Sequence, residues 1–434
     1  MEHIRANHAY FAFLGWVTLL AVPLAILTAF YLTGLQVGSA FVREALPTRW
    51  LPNLDPRLLT VVVAMLAGLL VGLILRYMGG GDNRALSDEL IETGTVPHRH
   101  LPGMILAALV GLSAGASLGP EGPLAHLGGG IASWLAARRG YDKDRRRVLS
   151  LSGIAAVFGG FLTQPLGGAF LAFEFTKLVT FPFYVYLIPA IVASLTGYLV
   201  YFSLTGASLA GIYHFADITS LKLIYFVYVL VLSLLGVGVG ILFKLIFGSV
   251  QRLTRPLQAY PVLRPVVGGL IFGLIGAVLP LTLYSGEHEL GHLIDHAGEY
   301  SVLFLFVLAV AKLVTLSICL STGFPGGFIF PLMFAAGAFG VAAHALLPVV
   351  PLSVAVVGAM AGMGGAVMRM PIATIILVGI LAGPIYMPLI ILAAVAGYLV
   401  AQISRGEDAR DAYAAAETES AALSTRPAER SNRS

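Results

Sequence analysis

The chain has 434 residues, of which 58% are hydrophobic and only 11% are charged. A water-soluble globular protein carries roughly 25% charged residues, so this composition excludes an ordinary soluble chain. The net charge of +4 is too small for a chain of this length to indicate a nucleic-acid partner. We therefore predict an integral, multi-pass membrane protein whose main partner is the lipid bilayer.

The membrane region is predicted to cover residues 9–403, after a short N-terminal segment at residues 1–8. Apolar stretches of about 17 residues or more can each span a bilayer, and we expect roughly a dozen of them. The clearest are Leu59–Leu75, Leu101–Leu118, Phe183–Phe202, Leu223–Phe243, Val266–Tyr284 and Val302–Leu320. Residues 404–434 are rich in Ala, Glu, Ser, Thr, Arg and Pro, which predicts a disordered polar tail.

Glycine and proline are frequent inside the apolar segments, with 50 and 23 copies in the chain. Helix breaks at membrane depth are tolerated where the backbone is buried in protein or lines a cavity, which favours a transporter or channel over an anchor. A polar stretch at Thr205–Leu221 divides the region into approximate repeats, residues 9–205 and 218–403. Each half contains one interrupted segment, a pattern typical of an all-α, inverted-repeat bundle with a site near the membrane midplane.

The first interrupted segment is Gly119-Pro-Glu-Gly-Pro123. Its prolines and glycines end one helix, and Pro123 suits the first turn of the next. The free N–H groups of that first turn, together with the helix dipole, form an anion site without a positive side chain. Glu121 stands at this point, where its ionised carboxylate would occupy the anion's donors and close the path. The alternative is that Glu121 only caps the helix.

The second interrupted segment is Ser321-Thr-Gly-Phe-Pro-Gly-Gly-Phe-Ile-Phe-Pro331, and it follows the same logic. Gly326 and Gly327 permit close approach of the backbone, and Pro331 falls early in the next helix. The N–H groups of Phe328, Ile329 and Phe330 would then face the site. An ordinary junction between two helices is the alternative.

These segments resemble the CLC family of chloride channels and chloride/proton antiporters. Gly119–Pro123 is similar to the family's G-(K/R)-E-G-P element. Gly327–Pro331 is similar to its G-x-F-x-P element, with Ile329 where the family has phenylalanine. Shorter likenesses occur at Ala311–Thr315, Gln164–Gly168 and Arg369–Ala373, so the resemblance extends over about residues 9–403.

The resemblance implies an all-helical, inverted-repeat subunit with its own pore, paired into a homodimer in the cell membrane. It implies that Glu121 is the gate and that Gly122, Phe328 and Ile329 bind the anion through backbone amides. Tyr386, in Gly383-Pro-Ile-Tyr-Met-Pro388, is expected to match the pore tyrosine, or else to be an interfacial or core residue. Chloride is the expected cargo, and no cofactor or metal is expected.

Three positions depart from the family pattern. The stretch near residues 79–86 has Asp82 and Asn83 and no pore serine, a loss also found in fluoride-selective relatives. Phe175 takes the place of the inner, proton-relaying glutamate, with Glu174 one residue earlier. Pro120 replaces the usual basic residue before the gate. The second departure favours a channel or weakly coupled transporter, and a proton-coupled antiporter is the alternative.

One motif indicates a different class of protein. His288-Glu-Leu-Gly-His292 contains two histidines spaced as zinc ligands, with Glu289 placed as a general base. An intramembrane zinc metalloprotease using His288, Glu289 and His292 is therefore an alternative, although a short motif alone is weak evidence. Otherwise we predict a transport protein and not an enzyme.

Overall fold

The computed structural model describes residues 2–79, 90, 93–175, 183–215 and 218–403, with backbone only for residues 2–9, 175 and 183. These residues form helices and, within the described ranges, no strand beyond one isolated bridge. The first half contains α1 (Glu2–Ala40), α2 (Pro56–Met78), α3 (Leu101–Ser113), α4 (Glu121–Arg138), α5 (Lys143–Phe161), α6 (Pro165–Phe175) and α7 (Phe183–Thr205). The second half contains α8 (Leu223–Thr254), α9 (Leu263–Val278), α10 (Glu287–Asp295), α11 (Val302–Thr322), α12 (Ile329–Leu346), α13 (Leu352–Met363), α14 (Pro371–Ala382) and α15 (Met387–Ile403).

Among the described residues, 7 helical segments are long and apolar enough to cross a membrane, and further apolar helices are shorter. The prediction of an all-α, multi-pass membrane protein is confirmed. Two predicted spans were too long. The helix at Leu101 ends at Ser113, because Gly115 turns the chain with a φ of 96°. The helix around Val266 ends at Val278, just before Pro280.

Local signals at the helix ends explain several of these bounds. The Asp55 carboxylate caps α2 by accepting hydrogen bonds from the N–H groups of Arg57 at 2.8 Å and Leu58 at 3.2 Å. Ser301 caps α11 in the same way, and Gly323, with a φ of 91°, ends it. Helix α1 already begins at Glu2, inside the predicted N-terminal segment. The predicted tail, residues 404–434, and the positions Asp82 and Asn83 lie outside the described residues.

The two halves pack in the same order. In the first half α4 packs on α5, α5 on α7, and α1 on α7; in the second half α12 packs on α13, α13 on α15, and α8 on α15. Small residues permit the close crossings. A Cβ added at Gly153 of α5 would lie 2.7 Å from the Ala132 Cβ of α4, and one at Gly340 of α12 would lie 2.7 Å from the Ala355 carbonyl of α13. This repetition brings the starts of α4 and α12 together.

Candidate anion site

The two interrupted segments meet inside the protein. The N–H of Gly119 donates to the Gly327 carbonyl at 2.9 Å, and the N–H of Gly327 donates to the Gly119 carbonyl at 2.7 Å. Helix α4 begins two residues after Gly119, and α12 begins two residues after Gly327. Because a helix start presents free N–H groups and the positive end of its dipole, this bridge aims two such ends at one region.

Glu121 is the first residue of α4 and is only 1% exposed. Its Oε1 accepts a hydrogen bond from the N–H of Ile329 at 2.7 Å, across 208 positions of sequence. The N–H groups of Glu121 itself and of Phe330 also stabilise the same carboxylate. The first helix therefore supplies an acid whose partner is the start of the second helix. A role in capping only its own helix does not account for this contact with α12.

Two glycines make room for the carboxyl group. A Cβ added at Gly327 would overlap the Glu121 carboxyl carbon, and one added at Gly119 would overlap the Glu121 Oε2. Gly122 packs against the second segment, since a Cβ there would lie 3.0 Å from the Gly326 carbonyl carbon. The site thus needs glycine at these positions to make room for the carboxyl group. From the sequence we expected only a close approach of the backbone.

Some buried polar atoms at and near Glu121 lack a partner. The Glu121 Oε2 and the Tyr31 hydroxyl accept and donate no hydrogen bond in the structure, although Tyr31 is only 7% exposed. The charge of Glu121 acts on Tyr31, so the two groups share one neighbourhood. Buried polar atoms of this kind are normally satisfied by water or an ion. Tyr31 was not predicted as a site residue, because a tyrosine within an apolar helix gives no signal in the sequence.

Lys312 is a buried cation beside this region. It is fully buried in α11, and its Nζ donates to the carbonyls of Thr282 at 3.1 Å, Leu283 at 3.0 Å and Tyr284 at 2.8 Å. Three acceptors match the three N–H donors of an ammonium group. The lysine therefore secures the turn before α10 and is already saturated with hydrogen bonds. A lone lysine in an apolar segment is the sequence signal for such a residue.

Tyr386 lines a cavity near the C-terminal end of α14. It belongs to a short 3₁₀ turn, Pro384–Tyr386, and its ring meets the Phe215 ring edge-on with centroids 5.5 Å apart. The cavity has a volume of about 500 Å³ and is lined by Tyr213, His214, Phe215, Ile218 and residues 382–386. Neither Glu121 nor Ile329 lines it. A role for Tyr386 in binding the anion stays a prediction, as does a backbone contact from Phe328.

Glu174 caps the start of α14. Its two carboxylate oxygens accept hydrogen bonds from the N–H groups of Ile372 at 3.2 Å and Ala373 at 2.6 Å, in the first turn of α14. This arrangement is a helix cap supplied from α6. The Phe175 side chain lies outside the described residues, but phenylalanine carries no titratable group.

The residues of the zinc-like motif make other contacts. The Glu289 carboxylate pairs with Arg43 at 2.5 Å, and the His292 ring stacks on the His296 ring with centroids 4.3 Å apart. Within the described ranges, no three His, Cys, Asp or Glu side chains are grouped to hold a metal ion. His288, Glu289 and His292 instead line a cavity of about 510 Å³, together with Arg43 and Tyr284. The zinc metalloprotease alternative is not supported.

Comparisons with known proteins agree with this geometry. Residues 84–402 match the family described as voltage gated chloride channel. A relative from Salmonella newport (strain SL254), named "Putative ion-transport protein YfeO", is 30% identical over 344 residues, which cover 76% of this chain and 79% of the relative.

Solved structures share the fold. A CLC-type fluoride/proton antiporter matches with a TM-score of 0.75 and 22% identity, over 89% of this chain and 95% of the other. A slow cyanobacterial Cl⁻/H⁺ antiporter matches with a TM-score of 0.75 and 18% identity, over 91% and 95%. The family match, the relative and the fold, together with the acid that joins two helix starts, make this chain a member of the CLC family of anion-transport proteins.

Proposed function

We propose that this chain carries small anions, chloride first among them, along a path that the Glu121 carboxylate opens and closes. The observation that supports this most is the 2.7 Å hydrogen bond from the Ile329 N–H to the Glu121 Oε1. The carboxylate occupies donors that suit any anion, including a halide. When Glu121 takes up a proton it loses its charge, its hold on the helix start weakens, and an anion can replace it.

The expected binding groups are the backbone amides of Phe328 and Ile329 at the start of α12 and of Gly122 on α4. They lie on the two helices that the bridge between Gly119 and Gly327 joins. Tyr386 is a further candidate for binding the anion, from the cavity that it lines together with Phe215. Moving ions in this way requires no bond chemistry, so we propose transport without enzymatic activity.

Fluoride is the second candidate cargo. The stretch Gly79-Gly-Gly-Asp-Asn83 lacks a serine, and a CLC-type fluoride/proton antiporter shares the fold. Chloride and fluoride efflux from the same vesicles, recorded with ion-selective electrodes, separates the two cargoes. Equal or faster fluoride efflux, at matched gradients, would favour the second candidate.

Proton coupling is proposed to be weak or absent. Phe175 has no titratable group, and both oxygens of Glu174 are hydrogen-bonded to the start of α14. A proton-relay acid must bind and release protons freely, which this capping role opposes. We further propose that the protein works as a homodimer in the cell membrane, with repeats at residues 9–205 and 218–403.

The test is the variant Glu121→Gln in proteoliposomes. Glutamine keeps the size of the side chain but carries no charge, so it mimics the protonated gate. We expect anion efflux in the variant to be as high at alkaline pH as at acidic pH, whereas wild-type efflux rises on acidification. Glu299→Gln is the matched control, because Glu299 is an exposed carboxylate in a short 3₁₀ turn. If Glu121→Gln keeps the wild-type pH dependence, Glu121 is not the gate.

A further inference from the structure

We propose that Glu287 is a second proton-binding carboxyl, which exchanges protons between the cavity lined by His288 and Glu289 and the Glu121 gate. The proposal rests on the gating function proposed for Glu121. It assigns a role to the residue just before the zinc-like motif.

The start of α10 is packed beside the helix that receives Glu121. Gly286 precedes Glu287 with a φ of 98°, and a Cβ added to it would lie 2.8 Å from the Phe334 Cβ. Phe334 follows Ile329 by five positions on α12, so at about 1.5 Å of rise per residue the two lie roughly 7.5 Å apart along the axis. Glu287 therefore begins its helix close to the gate.

The Glu287 carboxyl has one inward and one outward oxygen. Its side chain is 15% exposed, and its Oε1 lies 3.8 Å from the Nε2 of His288, whose side chain is 77% exposed. Its Oε2 is buried and has no hydrogen-bond partner, as is also true of the Glu121 Oε2. A buried carboxylate oxygen without a donor is costly, and a proton on the carboxyl removes most of that cost.

The charges around Glu287 favour sharing of a proton. Glu121 on α4, Glu289 on α10 and Lys312 on α11 all act on its carboxyl. The Glu289 charge is paired with Arg43, and Lys312 donates its hydrogen bonds to three carbonyls, so neither cation bonds directly to Glu287. Tyr213, which lies against α10, is a further titratable neighbour. Two carboxyls whose charges act on each other in this way titrate as a pair.

The step itself is a simple proton transfer. An O–H bond breaks at the Glu287 carboxyl and one forms at the Glu121 carboxyl, with the proton passed through intervening water, and no other reactant is needed. Exchange with solvent then runs through the cavity of about 510 Å³, where His288 is the exposed titratable group nearest to Glu287.

The proposal is tested first by a measurement that needs no transport. Infrared difference spectra of the purified protein, between acidic and alkaline pH, report protonated carboxyl groups. We expect Glu287→Gln to lose one carboxyl band and to shift the band that Glu121→Gln removes. Glu299→Gln should leave both bands in place. Intact bands in Glu287→Gln would mean that Glu287 neither gains nor loses a proton between the two pH values and would overturn the proposal.

The second measurement is the pH profile of anion efflux. When Glu287 has given up its proton, its negative charge favours the protonated form of Glu121. Glu287→Gln removes that charge and should move the midpoint to lower pH by about one unit. Glu287→Asp should restore much of the profile, and in the background of Glu121→Gln the second change should have no effect. An unshifted pH profile in Glu287→Gln would overturn the proposed proton exchange. If wild-type vesicles carry no anion, the proposed function fails, while the spectra still decide whether the two carboxyls are coupled.

Discussion

The substitution Gly327→Ala tests the proposed gate by displacing the Glu121 carboxylate, whereas Glu121→Gln removes its charge. A Cβ at this position would overlap the Glu121 carboxyl carbon, its Oε1 and its Cγ. The carboxylate must then leave its place against the Ile329 N–H, although its charge is unchanged. We therefore expect efflux from Gly327→Ala to lose most of its dependence on pH, as in the neutral variant of Glu121.

The magnitude follows from the contacts that are lost. A hydrogen bond to a charged group contributes about 1.5–3 kcal/mol, and the helix N-terminus adds about 0.3–1 kcal/mol for an anion. The closed arrangement should therefore be weakened by roughly 2–4 kcal/mol, a change of about 30- to 1000-fold in the ratio of open to closed protein. Efflux at alkaline pH should rise until the open path itself becomes limiting.

The assay is chloride efflux from proteoliposomes over a range of pH, with two control variants. Gly326→Ala adds a methyl group in the same segment, but its Cβ meets the Leu118 side chain, with the Leu118 Cβ 2.5 Å away, and not the carboxyl group. Gly238→Ala, on α8, meets nothing within 4 Å. Both should keep the wild-type pH dependence. The steric argument is refuted if Gly327→Ala is folded by size-exclusion chromatography and keeps that dependence, or if Gly326→Ala loses it equally.

Further predictions concern residues outside the gate contact. Tyr31→Phe removes a buried hydroxyl without a partner, so we expect unchanged or slightly raised thermal stability and, if this hydroxyl donates to the displaced carboxyl or the anion, a several-fold loss of efflux at acidic pH. Glu174→Gln should lower the free energy of unfolding by about 1–2 kcal/mol through its weakened cap and leave the pH profile of efflux in place; a changed profile would give Glu174 a role in proton transfer. His288→Ala combined with His292→Ala should leave efflux within a few-fold of wild type, and metal analysis should find no stoichiometric zinc; one zinc per wild-type chain would contradict this.

Local chemistry made the two helix starts predictable. Glycine and proline break a helix wherever they cluster, so the starts near Glu121 and Ile329 followed from Gly119–Pro123 and Gly327–Pro331. That these starts lie together also followed, because interrupted segments at matching places in two halves indicate a common site. The contact itself, Ile329 N–H to Glu121, joins residues 208 positions apart and is set by the packing of the two halves.

Residues whose role depends on distant partners were not predictable. No role was predicted for Glu287, which directly precedes the zinc-like motif, and the packing of Gly286 on Phe334 brings it near Glu121. Tyr386 was matched to the family's pore tyrosine, a role that stays a prediction, and its ring contact with Phe215 is set by packing that the sequence does not reveal. The end of α3 at Ser113 was also missed, because hydrophobicity continues to Leu118 while the backbone turns at Gly115.

The most direct test of the account is one recording of chloride efflux and internal pH in wild-type proteoliposomes under an imposed chloride gradient. The account predicts chloride efflux above that of protein-free vesicles, faster at acidic than at alkaline pH, without protons moving uphill at a fixed ratio. Efflux equal to that of empty vesicles, or independent of pH, would contradict transport gated by Glu121. Protons driven uphill in fixed proportion to chloride would contradict the weak coupling inferred from Phe175 and Glu174.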